Sequence, residues 1–410
     1  MPEPSVRGIR QRFAPSAIGF HTLRVVGPRL PRLAGGWMPW LGLDRYLPPA
    51  LPGPDWVRLR PILSGVCGSD IALLTGKASA ILSPFASFPA VLGHEVVATI
   101  TETGPGVQGW SSGERVALDP VLSCVPRGLE PCDWCRRGHT GLCLRTAEGL
   151  IAPAPMLGFC RDLPGGWSEA MVAHASQLHR VPEVLSDEAA VMVEPFSVAL
   201  HGVLARPPGP GERVLVIGAG TMGLCVAAAL RLAAPGAAVT VVARHAVQRR
   251  LAERFGATVA RSPLEAAVER AGARRHRPLV GQDVLVGGFD QVYDAVGTAR
   301  TLDAALRVAA PRGRVVIVGG PAQVSTLDWT LAWTRELRIQ GTYVYGVEES
   351  LPGRPHTMDA AMDMLAAHPE LPLGELVTHR FRLEEWRRAM AAALSRGRSG
   401  ALKIVFAPGG

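Results

Sequence analysis

A glycine-rich turn stands between a short apolar run and a longer helical segment near the middle of the chain. The run "RVLVIG" (213–218) is rich in β-branched residues, and "AGTMGLCVAAALRLAA" (219–234) has the composition of a helix. The turn follows the pattern G-x-G-x-x-G, in which the first glycine permits a tight turn, the second lets the backbone approach a pyrophosphate, and the third lets helix and strand pack closely. The helix N-terminus adds a positive dipole. In this context the pattern predicts dinucleotide binding by Gly218, Gly220, Thr221, Met222 and Gly223.

The alternation of strand and helix continues over residues 199–343. Further strands are predicted at 238–244, 289–297 and 313–320, and segments such as "ARTLDAALRVAA" between them read as helices. Strands that alternate with helices of this length indicate the α/β class with a doubly wound parallel sheet. We therefore expect a Rossmann domain at 199–343, with Val296 and Gly319 at the ends of its later strands as further cofactor-binding residues.

The rest of the chain has a different pattern. Segments before residue 198 are short, β-rich and interrupted by glycine and proline, which favours an antiparallel, barrel-like domain at 1–198. The stretch 344–410 ends in strand, helix and strand, and is expected to return to that domain. The proline- and glycine-rich residues 27–54 are expected to form irregular surface chain. A length of 410 residues suits two domains.

Four of the seven cysteines fall within the stretch "CVPRGLEPCDWCRRGHTGLC" (124–143). Cys132 and Cys135 form a C-x-x-C pair whose short turn lets two thiolates face one ion. Cys124 and Cys143 lie far enough outside the pair to complete a tetrahedron. Four cysteines without an open position describe a structural zinc site. The alternatives are a redox-active C-x-x-C pair and cysteines clustered by chance.

A second group of metal-binding residue types comes from three distant segments. "GVCGSD" (65–70) supplies Cys67, "VLGHEVV" (91–97) supplies His94 and Glu95, and "VEPFSVALHG" (193–202) supplies Glu194. Cysteine, histidine and carboxylate ligands that leave a position for water or substrate fit a catalytic zinc. Singly, Cys67 is as easily a small core residue and Glu194 the start of a helix. Together, beside a nucleotide-binding fold, they favour the metal site.

These motifs resemble those of the zinc-containing medium-chain dehydrogenases, the group of alcohol, polyol and threonine dehydrogenases. The resemblance covers the chain from about residue 55 to its end. The Cys-Gly-Ser-Asp, Gly-His-Glu and Glu-Pro motifs look like the family's catalytic zinc environment, and the four cysteines look like its structural lobe. The spacing from Cys124 to Cys132 is longer than the family's usual one. The resemblance implies a GroES-like β-rich catalytic domain plus the Rossmann domain, two zinc ions per chain, and a homo-oligomer.

The resemblance also implies a reaction, the transfer of a hydride between an alcohol of polyol, sugar or amino-alcohol type and NADP or NAD. In the family, the residue that resembles Ser69 receives the substrate proton. Asp70 is a candidate partner for the imidazole of His94, fixing its tautomer. Many relatives extend the proton relay with a histidine five residues after the cysteine, where this chain has Ala72.

Some alternatives stay open at this point. Glu95 and Glu194 are both candidates for the persistent zinc-binding carboxylate. The chain could instead be a zinc-independent enone or quinone reductase of the same superfamily. It could also be a non-catalytic nucleotide-sensing protein that keeps the fold as a binding module.

The end of the second predicted strand bears on the choice of dinucleotide. NAD-binding versions of the fold place an Asp or Glu roughly 20 residues past the glycine turn. Here the strand ends "VVARHAVQRR", and no acidic residue occurs between Glu212 and Glu253. Ala243 leaves room at that position, and Arg244, with Arg249 further along, can bind a 2′-phosphate. We therefore expect NADP to be preferred over NAD.

Charge and hydropathy indicate which classes of partner, among membranes, nucleic acids and small molecules, are expected. The N-terminal residues lack the apolar core of a secretory signal, and no run of about 18 apolar residues is present, so a cytoplasmic protein without a membrane partner is expected. The net charge of +8 could suggest nucleic acid. However, the arginines are scattered, and the only lysines are Lys77 and Lys403, a skew that resembles codon bias rather than a binding face. A small-molecule alcohol or carbonyl substrate is the expected partner.

Overall fold

The computed structural model describes residues 5–12, 16–27, 29–30, 34–324 and 326–409. The chain divides into two compact units. The first unit comprises Met1–Glu194, Met358–Ala366 and Gly374–Gly410, and the second unit comprises Pro195–Thr357 and Ala367–Leu373. This division differs from the predicted boundaries, because residues 195–198, 344–357 and 367–373 lie in the second unit.

Contacts within the second unit explain the difference. The buried carboxylate of Glu348 lies 2.8 Å from Nδ1 of His201 and accepts a 2.5 Å hydrogen bond from the hydroxyl of Thr357. These bonds tie the segment 344–357 to the helix that carries His201. Side-chain contacts of this kind leave no periodic pattern in a sequence, so the predicted boundary falls too early.

The strands of the described residues, in chain order, are β1 Val6–Gln11, β2 Leu41–Tyr46, β3 Trp56–Gly65, β4 Ala90–Val91, β5 Val96–Thr103, β6 Arg115–Leu118, β7 Met171–His174, β8 Leu178–Arg180, β9 Arg213–Ile217, β10 Ala238–Val242, β11 Thr258–Ala260, β12 Arg274–His276, β13 Val284–Val286, β14 Phe289–Asp294, β15 Ala309–Ile317, β16 Arg338–Gly341, β17 Val377–Phe381 and β18 Lys403–Phe406.

The α-helices are Ala17–Val26, Gly68–Leu74, Asp133–Arg136, Asp187–Val191, Val193–Leu204, Thr221–Ala233, Ala246–Arg254, Pro263–Glu269, Ala299–Val308, Thr330–Thr334, Thr357–Ala367, Trp386–Leu394 and Arg396–Ser399. Short 3₁₀ helices cover Ala80–Phe85, Thr140–Leu142, Ala175–Gln177, Leu373–Leu376 and Leu383–Glu385. No helix among the described residues is long and apolar enough to cross a membrane.

The second unit is built on a parallel sheet with the strand order β11-β10-β9-β14-β15-β16. Its central strands are buried on both faces, as the consecutive residues Leu215 and Val216 of β9 and Val315 and Val316 of β15 show, which is why they read as continuous β-branched runs. The predicted doubly wound sheet is confirmed. Because the strand order reverses between β9 and β14, their carboxyl ends flank the crevice where such sheets bind ligands.

The first unit is mainly antiparallel β-structure, as predicted. Its larger sheet has the order β17-β18-β3-β5-β6-β8, with β7 also paired to β3. The C-terminal strand β18 returns to this sheet and pairs antiparallel with β3. A smaller sheet has the order β2-β1-β4. The pairing of β18 with β3 brings the end of the chain next to the segment that carries Cys67.

The expectation of irregular chain at 27–54 is wrong for part of that segment. Residues 41–46 form β2, which pairs antiparallel with β1 along its whole length. Leu41 is buried in the same apolar cluster as Ile9 of β1, and this burial stabilises the strand. Residues 28 and 31–33 lie outside the described residues.

Candidate metal and cofactor sites

The imidazole of His94 lies between two groups supplied by the helix Gly68–Leu74. Nε2 of His94 is 3.3 Å from the hydroxyl of Ser69, and Nδ1 is 3.6 Å from Oδ1 of Asp70. The backbone N–H of Cys67 donates a 2.9 Å hydrogen bond to the other oxygen of Asp70. One carboxylate therefore holds the start of this helix through a hydrogen bond and lies beside one edge of the imidazole without a hydrogen bond to it. The opposite edge, Nε2, faces Ser69.

Charge couples these buried groups. Burial raises the pKa of Asp70 to about 6, while the charge of His94 opposes that shift. Burial alone would lower the pKa of His94, but the charge of Asp70 and a hydrogen bond with Cys67 raise it to about 10. A buried histidine with a carboxylate 3.6 Å from Nδ1, beyond hydrogen-bonding distance, and with a thiol whose charge acts on it has surroundings that suit a metal ligand.

Glu194 lies in the first turn of the helix Val193–Leu204 and is 7% exposed. Burial, reinforced by the negative charge of Glu95, raises the pKa of Glu194 to about 8. Among the described residues, the side chains whose ligand atoms all lie within 4.8 Å of one another do not include Cys67, His94 and Glu194 as a group. The charges of Glu194 and His94 nevertheless act on each other. A buried carboxylate with a raised pKa is a site that a cation would stabilise.

Glu95 has a partner of its own. Both its oxygens accept hydrogen bonds from the ammonium of Lys403, at 2.5 and 2.6 Å, and both side chains are almost fully buried. Glycine at position 65 makes room for this carboxylate, because a Cβ there would lie 1.9 Å from Oε2 of Glu95. The structure thus gives Glu95 an ion pair where the sequence predicted a zinc ligand, and Glu194 is the better placed of the two carboxylates to bind a metal.

The four clustered cysteines come together in the first unit. Their sulfur atoms all lie within 4.8 Å of one another, and Sγ of Cys124 is 3.6 Å from Sγ of Cys143. All are free thiols. The backbone N–H of Cys132 donates to Sγ of Cys124, and that of Arg145 to Sγ of Cys143, at 3.3 and 3.4 Å. The longer spacing from Cys124 to Cys132 therefore still brings Cys124 into the group.

The thiols of this group differ in acidity. Burial raises the pKa of Cys143 to about 11. At Cys132 burial also opposes ionisation, but hydrogen bonds from the backbone of Leu144 and Cys135 outweigh it and lower the pKa to about 6. Neighbouring thiolates repel one another, and a divalent cation would offset that repulsion. The donor set and its spacing fit a closed tetrahedral zinc site.

The glycine-rich turn has the backbone that dinucleotide binding requires. Gly218 has φ +98°, and a Cβ on Gly223 would lie 1.8 Å from the carbonyl oxygen of Gly218. A Cβ on Gly220 would meet no described atom within 4 Å, so this position is open to a ligand. Thr221 and Met222 begin the helix Thr221–Ala233. The turn therefore points a helix N-terminus and bare backbone toward the crevice.

The neighbouring turns complete this edge of the sheet. Asp294, at the end of β14, accepts hydrogen bonds from the backbone N–H of Val296 and Gly297 at 2.9 and 3.1 Å. A Cβ on Gly218 would lie 2.4 Å from Cγ2 of Val296, and one on Gly319 would lie 2.4 Å from its carbonyl carbon. The predicted cofactor-binding residues from β9, β14 and β15 are thus brought together at the switch point.

The end of β10 carries the groups predicted to choose between NADP and NAD. Ala243 is fully buried, and Arg244 directly after it is exposed. The guanidinium of Arg249 donates a 2.7 Å hydrogen bond to the carbonyl oxygen of Arg244. This bond holds the turn and leaves the side chain of Arg244 at the surface.

The sequence did not predict that two basic residues, Lys403 and Arg396, interact with Glu95 and Cys67. Lys403 pairs with Glu95, and the charges of Cys67 and Glu95 act on Arg396, opposing the effect of burial, which lowers its pKa. The sequence contained one indication that Lys403 has a specific role. A lysine in the apolar run "ALKIVFAP" of a chain that otherwise uses arginine is itself unusual, although the skew between the two residue types resembles codon bias.

Comparison with known proteins agrees with this geometry. Residues 53–183 match the family described as alcohol dehydrogenase GroES-like domain, and residues 221–367 match the family described as zinc-binding dehydrogenase. The starvation-sensing protein RspB of Escherichia coli (strain K12) is 31% identical over 72% of this chain and 78% of its own. Sorbitol dehydrogenase of Arabidopsis thaliana is 28% identical over 89% of this chain and 92% of its own. A crystal structure of a zinc-binding dehydrogenase from Sinorhizobium meliloti 1021 bound to NADP matches with a TM-score of 0.73 and 26% identity, over 99% and 100% of the two chains.

The fold, the glycine-rich turn and these matches define an NAD(P)-dependent oxidoreductase of the alcohol dehydrogenase type. The chain belongs to the zinc-containing medium-chain dehydrogenase family. The predicted family, fold class and enzyme class are confirmed.

Proposed function

We propose that this chain oxidises an alcohol, or reduces the matching carbonyl compound, with NADP as the preferred dinucleotide. In this proposal Cys67, His94 and Glu194 hold a catalytic zinc. The observation that carries it is the buried position of His94, which has Asp70 beside Nδ1, Ser69 beside Nε2 and the charge of Cys67 acting on its imidazole. A zinc bound there supplies Lewis acidity toward the substrate oxygen.

Side chains of the protein are proposed to orient the imidazole of His94 and to accept the substrate proton. Asp70 keeps the proton of His94 on Nδ1, so that Nε2 is available as a ligand. Ser69, two residues beyond Cys67, would receive the hydroxyl proton of the alcohol, and a nicotinamide bound in the second unit would supply the hydride acceptor. Because position 72 is an alanine, no imidazole there can take the proton from Ser69, and water receives it.

The four cysteines 124, 132, 135 and 143 are proposed to hold a second, structural zinc. We further propose that the protein is a cytoplasmic homo-oligomer. Its free thiols support a reducing compartment, and the family resemblance supports the oligomer. The substrate is a small alcohol or carbonyl compound, and sorbitol dehydrogenase among the relatives supports including polyols in a substrate panel.

The test combines metal analysis with turnover. The purified protein should contain about two zinc ions per chain, since the two donor sets are separate. A panel of polyols, sugars, amino alcohols and simple alcohols, with their carbonyl products, is assayed by absorbance of the reduced nicotinamide. Turnover should fall by at least about 100-fold in His94→Ala and stay unchanged in the control His276→Ala, an exposed histidine of β12. Absence of zinc, or full activity in His94→Ala, would overturn the proposal.

A further inference from the structure

Arg127 lies in the segment that separates the first two cysteines of the lobe, and its side chain is fully buried. Its guanidinium uses its N–H groups on backbone carbonyl oxygens alone. The bonds run from Nε to Leu122 at 3.0 Å, from Nη1 to Glu148 and Ile151 at 2.9 and 3.0 Å, and from Nη2 to Ala152 and Ala154 at 3.3 and 2.6 Å. Since arginine has five N–H donors, its hydrogen-bonding capacity is saturated.

These carbonyl groups lie on both sides of the cysteines in sequence. Leu122 precedes Cys124, and residues 148–154 follow Cys143. The backbone of Arg127 adds two more ties, because its N–H donates to the carbonyl of Cys124 at 3.1 Å and its carbonyl accepts from the N–H of Leu150 at 3.0 Å. One side chain therefore joins the entry and the exit of the loop that carries the four thiols.

The charge of Arg127 has no carboxylate partner among the described residues, since its hydrogen bonds all go to carbonyls. A guanidinium stays protonated in a protein, so this is a buried positive charge. The acidic groups that act on it are thiols, those of Cys160, Cys143 and Cys124, which favour the charged form, although burial lowers the pKa of Arg127. Two of these three belong to the cysteine group.

A zinc ion bound by four thiolates leaves that group with a net negative charge, because the thiolates carry more charge than the ion. A cation held nearby in the protein interior lowers the free energy of such a site. The charge of Arg127 interacts with the thiols of Cys143 and Cys124, its backbone N–H donates to the carbonyl of Cys124, and its bonds to carbonyls keep it from moving to solvent. Neutral N–H donors would have been enough to bind these carbonyl groups. The nearby thiolates give a reason for the positive charge that arginine adds at this position.

On the basis of the structural zinc proposed above, we propose that Arg127 is a positioning residue for that site, whose fixed, buried charge stabilises the zinc-loaded thiolate group. The longer segment between Cys124 and Cys132 supplies this residue. The role is separate from the hydride-transfer chemistry and concerns only how firmly the lobe holds its metal.

The test measures metal affinity in the full-length protein, in a Cys67→Ser background so that the lobe ion dominates the signal. Zinc release to a chromogenic chelator, and the thiolate-to-cobalt absorption of the cobalt-substituted protein, report on the site without reference to activity. Arg127→Gln should weaken zinc binding by about 10- to 100-fold, as loss of a residue that supports metal ligands does. Arg127→Lys keeps the charge but offers three donors in place of five, so it should lose less than about tenfold, with the charge kept and some of the carbonyl bonds lost.

The matched control is Arg137→Gln, an exposed arginine of the same lobe that packs over Trp134; it should leave zinc affinity unchanged. An unchanged affinity in Arg127→Gln, or an equal loss in Arg127→Lys and Arg127→Gln, would overturn the proposed charge effect. If Arg127→Gln does not fold, Arg127→Lys provides the test. A tenfold loss of zinc affinity in a folded Arg127→Lys protein would overturn the role proposed for the charge. If the parent gives no thiolate-to-cobalt band and loses no zinc on Cys135→Ser, the structural zinc itself is refuted, whatever Arg127 does.

Discussion

Lys403 forms a buried ion pair with Glu95. Its ammonium is 3% exposed and binds both oxygens of Glu95, the residue next to His94. A buried ion pair adds little net stability over a well-packed apolar pair, but loss of one partner strands the other charge. The pair also engages both oxygens of Glu95 in hydrogen bonds to one ammonium.

Lys403→Met is therefore expected to destabilise the protein by about 3–5 kcal/mol, because Glu95 is left buried without a cation. Thermal and urea unfolding of the zinc-loaded protein measure the change. The chain supplies its own control in Lys77→Met, which removes the other lysine at an exposed position. Lys403→Arg should recover part of the loss. Equal stability of Lys403→Met and Lys77→Met would contradict the role given to the pair.

We expect Arg244 to determine the preference of the enzyme for NADP over NAD. It is exposed directly after the buried Ala243, where an acidic residue would repel a phosphate. Arg244→Ala should lower kcat/KM for NADP by about 10- to 100-fold, the loss expected for a charged hydrogen bond, and change that for NAD by less than about threefold. Arg254→Ala, at the end of the following helix Ala246–Arg254, is the control. A higher kcat/KM for NAD than for NADP in the parent protein would refute the preference.

The sequence predicted the elements of the second unit well and those of the first unit less well. The strands β9, β10, β14 and β15 read as β-branched runs because parallel central strands are buried on both faces. By contrast, β2 is stabilised by pairing with β1, some 35 residues away in the chain. Its glycine- and proline-rich surroundings hide that pairing, since register between distant strands has no local signal.

The same distinction applies to the candidate sites. Cys67, His94 and the four clustered cysteines were predictable, because their residue types and spacings carry the chemistry themselves. The pairing of Glu95 with Lys403 depends on the return of β18 to β3, and the role of Arg127 depends on carbonyl groups of residues 122 and 148–154. Carbonyl groups are present at every residue, so no sequence pattern distinguishes the ones that bind an arginine.

The cysteine lobe and the helix at Cys67 should respond differently to the same substitution. Cys135→Ser opens a closed site, so it should lower the zinc content by about one ion and reduce the melting temperature, because structural zinc contributes folding free energy. Cys67→Ser should remove turnover with a smaller effect on melting. Metal analysis, calorimetry and assays on both variants check this. Full zinc content and an unchanged melting temperature in Cys135→Ser would rule out a structural lobe.

At the scale of the whole molecule, Glu212 is one contributor to stability in acid. Hydrogen bonds from Arg206, and further ones from Gln291 and the backbone of Gly209, lower the pKa of Glu212 from 4.5 to about 2. A carboxyl whose pKa is lower in the folded state stabilises the fold above its unfolded pKa, and that stability is lost as pH falls from 4.5 toward 2.

Glu212→Gln should therefore lower the melting temperature at pH 7 and flatten its decline between pH 4.5 and 2. Melting curves over that range measure the effect, with the exposed Glu253→Gln as the control. The prediction fails if both variants keep the slope of the parent protein.

The scarcity of lysine has a practical consequence. Of the two lysine side chains, Lys77 is exposed and Lys403 is sealed inside the first unit with Glu95. Reagents that couple to side-chain amines will therefore modify the folded protein at position 77, and will reach position 403 only after unfolding. Besides the α-amino group, the folded enzyme offers one side-chain amine for attachment to an electrode or a bead, and the appearance of label at position 403 reports the fraction of unfolded molecules.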